Sequence, residues 1–185
     1  MEKYLLDTNA YFELLKYAAS EKAARPETVN KVLNGKCYIS VVTKIEIISV
    51  IGKYARGSNG SPQRCERIHM DTGKVCGQQY VVPHRKKWKT KQLRNWLKIE
   101  KDVSDGKNKL FNVTVLDINE QTLVEAQVFI RNALTHSFKS MDAVILGTAK
   151  AFSTDNKQQI IVVTGDKAFK AAMECIEYPC MSLGM

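Results

Sequence analysis

Four short apolar runs, each followed by a helical pattern, most constrain what this chain can fold into. They are YLLD near residue 5, CYISVV near 40, FNVTVLDI near 114 and IIVV near 161. Most are rich in β-branched residues, which suit a pleated, buried surface. AYFELLKYA follows the first, TKIEIISVIGKYA the second, NEQTLVEAQVFIRNAL the third and DKAFKAAME the fourth, and a further helix, MDAVILGTAKAF, precedes the fourth strand. Parallel neighbours need a crossover of about a dozen residues, usually helical, whereas antiparallel ones need only a tight turn. The alternation therefore predicts an α/β fold with a central parallel sheet and helices on both faces. CIEYPCM reads as a last short strand closing one edge.

The stretch RGSNGSPQRCERIHMDTGKVCGQQYVVPH breaks this rhythm: it is full of turn formers and nearly free of periodicity. RKKWKTKQLRNWLKIEKDV follows as a basic helix whose apolar side would be Trp88, Trp96, Leu97 and Val103. Residues 56–105 thus read as a basic insertion in a single domain spanning 1–185, a length sufficient for one sizeable core. The charge is concentrated there. Gly52 to Lys109 carries 15 Lys or Arg against 5 Asp or Glu, while the whole chain nets only +9. Solubility needs no such concentration, and a basic block on a near-neutral body suits a polyanion, most plausibly nucleic acid. The bland counterpart is a solvated surface loop. No run approaches the roughly 20 apolar residues of a membrane span, and neither the basic nor the apolar part of a signal peptide is evident. Five irregularly spaced cysteines read as reduced thiols, so a cytoplasmic protein without a membrane partner is expected.

In an open parallel sheet, ligands bind beyond the carboxyl ends of the strands. The acids expected at that edge are Asp7, Glu46, Asp142 and Asp166. Each also has a structural reading. Thr43 and Glu46 have the spacing of a capping box, Asp142 sits in a first helical turn where the macrodipole favours negative charge, and Asp166, Asp7 or Asn9 could be N-caps. Four acids at one edge would repel, and a carboxylate at about 4–6 Å raises its neighbour's pKa. A hard cation bound by oxygen relieves this, and Mg²⁺ or Mn²⁺ suits a carboxylate site that retains water. None of His69, His84 and His136 falls in these segments, which argues against a zinc hydrolase. One or two divalent ions activate water and stabilise an in-line phosphoryl displacement. No paired Ser–His or Cys–His nucleophile, P-loop or G-x-G-x-x-G is evident. The Asp-Thr-Asn after strand one lacks the second acid of a haloacid-dehalogenase-like D-x-D nucleophile.

LLDTNAYFELL, ISVVTKIEIISVIG, SMDAVILGTAKAF and IIVVTGDKAF resemble, in order, the four acidic motifs of PIN-domain ribonucleases, and look closest to VapC-type toxins of toxin–antitoxin pairs. The resemblance covers roughly residues 3–54 and 111–180. It implies a Rossmann-like three-layer α/β/α fold and a Mg²⁺- or Mn²⁺-dependent endoribonuclease leaving 5′-phosphate and 3′-hydroxyl ends. It implies that Asp7 binds metal directly, that Glu46 and Asp142 complete the ligand set, and that Asp166 is the fourth acid. Thr164 would orient a carboxylate and Asn9 would support the turn or a bound water. A homodimer and an inhibitory antitoxin are implied partners, beside the RNA substrate. Members of the family also act in RNA maturation, and some have lost activity, so an RNA-processing enzyme and a silent RNA-binding module are the alternatives. The insertion departs from the compact toxins. Within it, Cys65, His69, Cys76 and His84 run C-x3-H-x6-C-x7-H, a spacing open to a structural zinc ion or to free thiols and surface histidines. Arg85, Lys86, Lys87, Lys89, Lys91 and Arg94 are candidate RNA contacts. The adjacent tryptophans read rather as packing onto the core, and an acidic antitoxin segment is an alternative partner for the cations.

Overall fold

The computed structural model describes residues 1–20, 24–65, 72–131 and 139–183. A five-stranded sheet forms from β1 (Lys3–Leu6), β2 (Lys36–Ser40), β5 (Val113–Leu116), β6 (Ile161–Thr164) and β7 (Cys180–Ser182). Its order is β5-β2-β1-β6-β7, and every neighbouring pair is parallel. β1 is central because both of its faces are buried. Tyr4 and Leu6 enter one core while Leu5, pointing the other way, enters the second. The first core takes its helical side from α1 (Thr8–Ala19), α2 (Glu27–Leu33), α3 (Val41–Arg56) and α4 (Thr90–Ser104). The second takes it from α5 (Glu120–Ile130), α6 (Ser140–Asn156) and α7 (Lys167–Cys175). This is the expected three-layer α/β/α arrangement.

Three local features differ from the sequence reading. Val41 and Val42, read as the end of the second strand, begin α3 instead. Ser40 caps that helix, its Oγ accepting from the Val42 N–H at 3.4 Å, so tertiary context overrides the strand preference of two valines. Helix α2 is absent from the sequence reading, because its apolar signal is only Val29 and Val32, both buried, and the partly buried Leu33. On α4 the apolar side is Leu93, Trp96, Ile99 and Val103, whereas Leu97 is 37% exposed.

The segment between α3 and β5 holds a small antiparallel hairpin, β3 (Pro62–Arg64) with β4 (Gln79–Val81), followed by α4. Trp88 and Trp96 do pack on the core. They stack at 5.3 Å and join Phe12 and Tyr54 in a closed group of four rings, with Phe12–Trp96 at 5.4 Å, Phe12–Tyr54 at 4.5 Å and Tyr54–Trp88 at 6.4 Å. A polar chain accompanies them: Ser104 donates to the buried Glu100 at 2.8 Å, and the Tyr11 hydroxyl lies 3.4 Å from Ser104 Oγ. Among the described residues no helix is long and apolar enough to cross a membrane.

On the other face α5 and α6 approach closely at Gly147, where an added Cβ would stand 2.5 Å from the Thr122 carbonyl oxygen and 2.9 Å from the Ala126 nitrogen. Backbone cannot yield as a side chain does. Gly147→Ala should therefore destabilise the protein by about 1–3 kcal/mol through overpacking, despite alanine's higher helix propensity. Urea denaturation of the two proteins checks this, and an unchanged or raised midpoint would contradict it.

Candidate active site

Asp7 leaves β1 at its carboxyl end, buried to 5% exposure, and caps α1. One carboxylate oxygen accepts from the Ala10 N–H at 2.6 Å, and the other accepts from the Thr164 hydroxyl at 2.5 Å. Thr164, buried at the end of β6, reaches it because β1 and β6 are adjacent in the sheet. The same hydroxyl accepts from the Asp166 N–H at 2.9 Å, tying the fourth acid to the first. Asp166 caps α7, its Oδ1 accepting from the Ala168 and Phe169 N–H groups at 2.8 and 3.2 Å.

Glu46 comes from the second turn of α3. It does not form the capping box with Thr43, whose hydroxyl donates to the Leu6 carbonyl at 3.4 Å. Glu46 instead accepts from the Thr8 hydroxyl at 2.5 Å. Asp142, in the first turn of α6, accepts from the Lys139 N–H at 3.1 Å. All four acids line one cavity of about 550 Å³, together with Thr8, Asn9, Ser49, Lys139 and Ser140 among others. The strand order explains this. From β1 the chain runs to β2 and β5 on one side and to β6 and β7 on the other, so the crevice opens at the carboxyl edge where the order reverses.

Capping and cavity lining coexist in Asp7 and Asp166, so the two readings of these residues are not exclusive. Asn9 is exposed in the first turn of α1 and lines the cavity, while Asp7 does the capping. Two contributors escape the sequence reading. Thr8, the middle residue of Asp-Thr-Asn, orients Glu46. Lys139 brings a positive charge beside Asp142 and has no sequence signal beyond its place before the SMD segment.

The electrostatics are those of a carboxylate held out of water. Burial pushes the Asp7 carboxyl up to about 7, the hydrogen bonds from Thr164 and Ala10 oppose this, and the charges of Asp142 and Asp166 add to it. Burial also raises Asp142, with Asp166 and Glu46 adding to it and Lys139 opposing. Among the described residues no three acidic, histidine or cysteine side chains already converge as a coordination sphere. The donor set nevertheless fits a hard cation: every anionic donor is a carboxylate, and Mg²⁺ is held by one or two carboxylates while keeping several waters. Of the candidate zinc residues, Cys65 and Cys76 are partly buried in the hairpin region, where Cys65 exchanges backbone hydrogen bonds with Gly77 and Gln78. His84 lies near Gly60, and His69 falls outside the described residues.

The sign of the Asp7 effect follows. Its folded value stands above the ordinary 3.8, so the native state binds the proton more tightly. Stability from this group is complete below pH 4 and is lost as pH rises through about 7. In chelator, Asp7→Asn should therefore melt higher than the parent at pH 8, by roughly 5 °C or more, with the gap closing toward pH 4. A gap independent of pH would contradict the burial argument.

Comparison with known proteins agrees with this architecture. No curated protein matches the sequence at a significant level. Over 99% of both chains, the fold is similar to a DNA-bound VapBC structure from Salmonella typhimurium, with a TM-score of 0.52 and 17% identity. It is also similar to VapBC2 from Rickettsia felis bound to a fragment of promoter DNA, with a TM-score of 0.50 and 15% identity over 97% of both chains. At these identities the likeness concerns the fold. The family model of the PIN domain matches residues 4–174, which is most of the chain and includes all four acids: this protein belongs to the PIN domain family.

Proposed function

We propose that this protein is a Mg²⁺- or Mn²⁺-dependent endoribonuclease, the toxin of a toxin–antitoxin pair. One observation carries the reading: carboxylates from the ends of β1 and β6, from the second turn of α3 and from the first turn of α6 line a single cavity. Family membership supports nuclease chemistry. RNA as substrate is supported by the basic segment 56–105, an elaboration of one domain.

Asp7, Glu46, Asp142 and Asp166 would hold the ion or ions directly or through water. Bound there, a divalent ion lowers the pKa of a water and neutralises charge developing on the phosphate. The protein's own contribution is orientation. Thr164 fixes Asp7 through one oxygen and the Asp166 backbone through its own, so two acids share one hydroxyl as their reference. Thr8 does the same for Glu46. Lys139 offers the cavity a cation that could meet a phosphate oxygen.

An antitoxin partner is supported by the fold's likeness to VapBC complexes. A homodimer is supported by apolar side chains left in water: Ile45, 66% exposed, with Ile48 on α3, and Val128, 55% exposed, with Leu123 and Val124 on α5. A cytoplasmic location belongs to the same reading.

Asp7→Asn should lower Mn²⁺-dependent RNA cleavage at least a hundredfold while leaving the fold intact. Thr164→Val should cost about 10–100-fold, as removal of a ligand's orienting partner does. Cleavage of total RNA with and without Mn²⁺ measures both. Cleavage by Asp7→Asn at the parent's rate would sink the assignment. In the parent, Mn²⁺ at a hundredfold excess over its Kd should stabilise by about 2.7 kcal/mol, seen as a rise in melting temperature that Asp7→Asn loses. For assembly, Ile45→Glu with Val128→Glu should convert a dimer to monomer in sedimentation, and a monomeric parent would contradict the dimer.

A further inference from the structure

A second cavity, of about 560 Å³, opens on the same side of α3 as the four-ring aromatic group. It is lined by Tyr54, Arg85, Lys86, Lys87, Trp88 and Lys89. We propose that it receives one unpaired nucleotide of the RNA substrate, its base laid on the Arg85 guanidinium and its phosphates held by Lys86, Lys87 and Lys89. This rests on the reading above only in taking RNA as the bound polymer.

The cavity is built rather than incidental. The Trp88 N–H donates to the Ala55 carbonyl at 3.0 Å, and Ser58 and Arg85 exchange backbone hydrogen bonds at 2.9 and 3.0 Å. These bonds pin residues 85–88 against the end of α3. The approach requires glycine at position 57: its φ is +71°, and a Cβ there would stand 2.5 Å from the Arg85 carbonyl oxygen. The Arg85 guanidinium carbon lies 4.2 Å from the centre of the Tyr54 ring. Arg85 also lines the cavity and is only partly buried, so the cation held by that ring is accessible to a base, and stacking on arginine is common in recognition of unpaired bases.

The charge is unbalanced. Among the described residues no carboxylate forms an ion pair with Arg85, Lys86, Lys87 or Lys89. α4 begins at Thr90 with no side-chain cap and no acid in its first turn. Lys87, Lys89 and Lys91 thus crowd the positive end of a helix, where anions are favoured and cations are not. A bound phosphate chain reverses that conflict. Polymer geometry favours RNA over an acidic peptide. Glu46 and Tyr54 stand eight residues apart on α3, a rise of about 12 Å with a rotation of about 80°, a separation that one extended nucleic-acid strand can bridge by winding part-way round the helix. A peptide carboxylate would use the lysines but not the stacking surface.

The test is anisotropy of a short fluorescent single-stranded RNA and of the matching duplex, in chelator, with the full chain. Lys86→Ala, Lys87→Ala and Lys89→Ala combined should weaken single-strand binding more than tenfold at low salt and flatten the log–log salt slope by about 2. Arg85→Lys keeps the charge but removes the plane, so it should keep the slope and lose about tenfold for the single strand, with little change for the duplex. Unchanged melting temperatures and Mn²⁺-induced shifts verify that each variant is folded. Parental RNA affinity in the triple variant overturns the proposal, as does an equal loss for single strand and duplex in Arg85→Lys. Polyglutamate binding tighter than RNA and dependent on Arg85 overturns it in favour of an acidic protein partner. Binding in chelator does not require cleavage. A protein that shows these losses yet never cleaves RNA would therefore refute the nuclease reading and support this one.

Discussion

A buried carboxylate must find donors inside the protein, and the carboxyl edge of this sheet is organised around that requirement at Asp7. Its two protein donors come from different places: the Ala10 amide belongs to the helix that Asp7 itself starts, and the Thr164 hydroxyl belongs to the neighbouring strand. The second donor exists only because β6 lies beside β1 in parallel register, Leu6 opposite Val163. Breaking that adjacency would leave a buried carboxylate short of one of its two protein donors, at a cost beyond that of one neutral hydrogen bond. Register, strand order and acid placement are therefore one constraint. Asp166 inherits it, since its backbone N–H is held by the same threonine hydroxyl.

The strands and most of the helices could be read from the chain because each carries its own periodic signal. The four acids could be placed because parallel topology sends every strand's carboxyl end to the same side. What could not be read depends on closure. Nothing local reveals that Thr8 meets Glu46 across 38 residues, and the T-x-x-E spacing favoured a partner, Thr43, that turns toward the Leu6 carbonyl instead. Val41 and Val42 look like strand in isolation and are helix once Ser40 ends β2. The short α2 buries only two side chains, too few to register as a period. The cation on the Tyr54 ring is likewise invisible in a linear reading, because Arg85 returns to α3 only through a hairpin of little apolar content.

The basic segment combines two physically different surfaces. One side is apolar and aromatic and completes the core around Phe12, Tyr54, Trp88 and Trp96. The other carries lysines and arginines into solvent. The long cationic side chains need not be buried for the helix to be stable, since the packed face supplies the burial. This separates stability from charge: the surface charge of α4 can change while its aromatic seat is retained.

Aromatic and aliphatic faces slide over one another with little penalty, because dispersion is non-directional and attraction given up at one point is recovered at the next. A hydrogen-bonded polar chain does not behave that way. Ser104 donates to Glu100 within α4 and travels with it, whereas the Tyr11 hydroxyl of α1 meets Ser104 Oγ at 3.4 Å, so a one-residue axial slip would break the Tyr11 contact. The Tyr11 contact thus acts as a detent, adding a direction-dependent preference for one lengthwise setting of α4 to the packing of its apolar face. The position of every cation along that helix, relative to the carboxyl edge of the sheet, is set by this small polar contact together with the larger aromatic one.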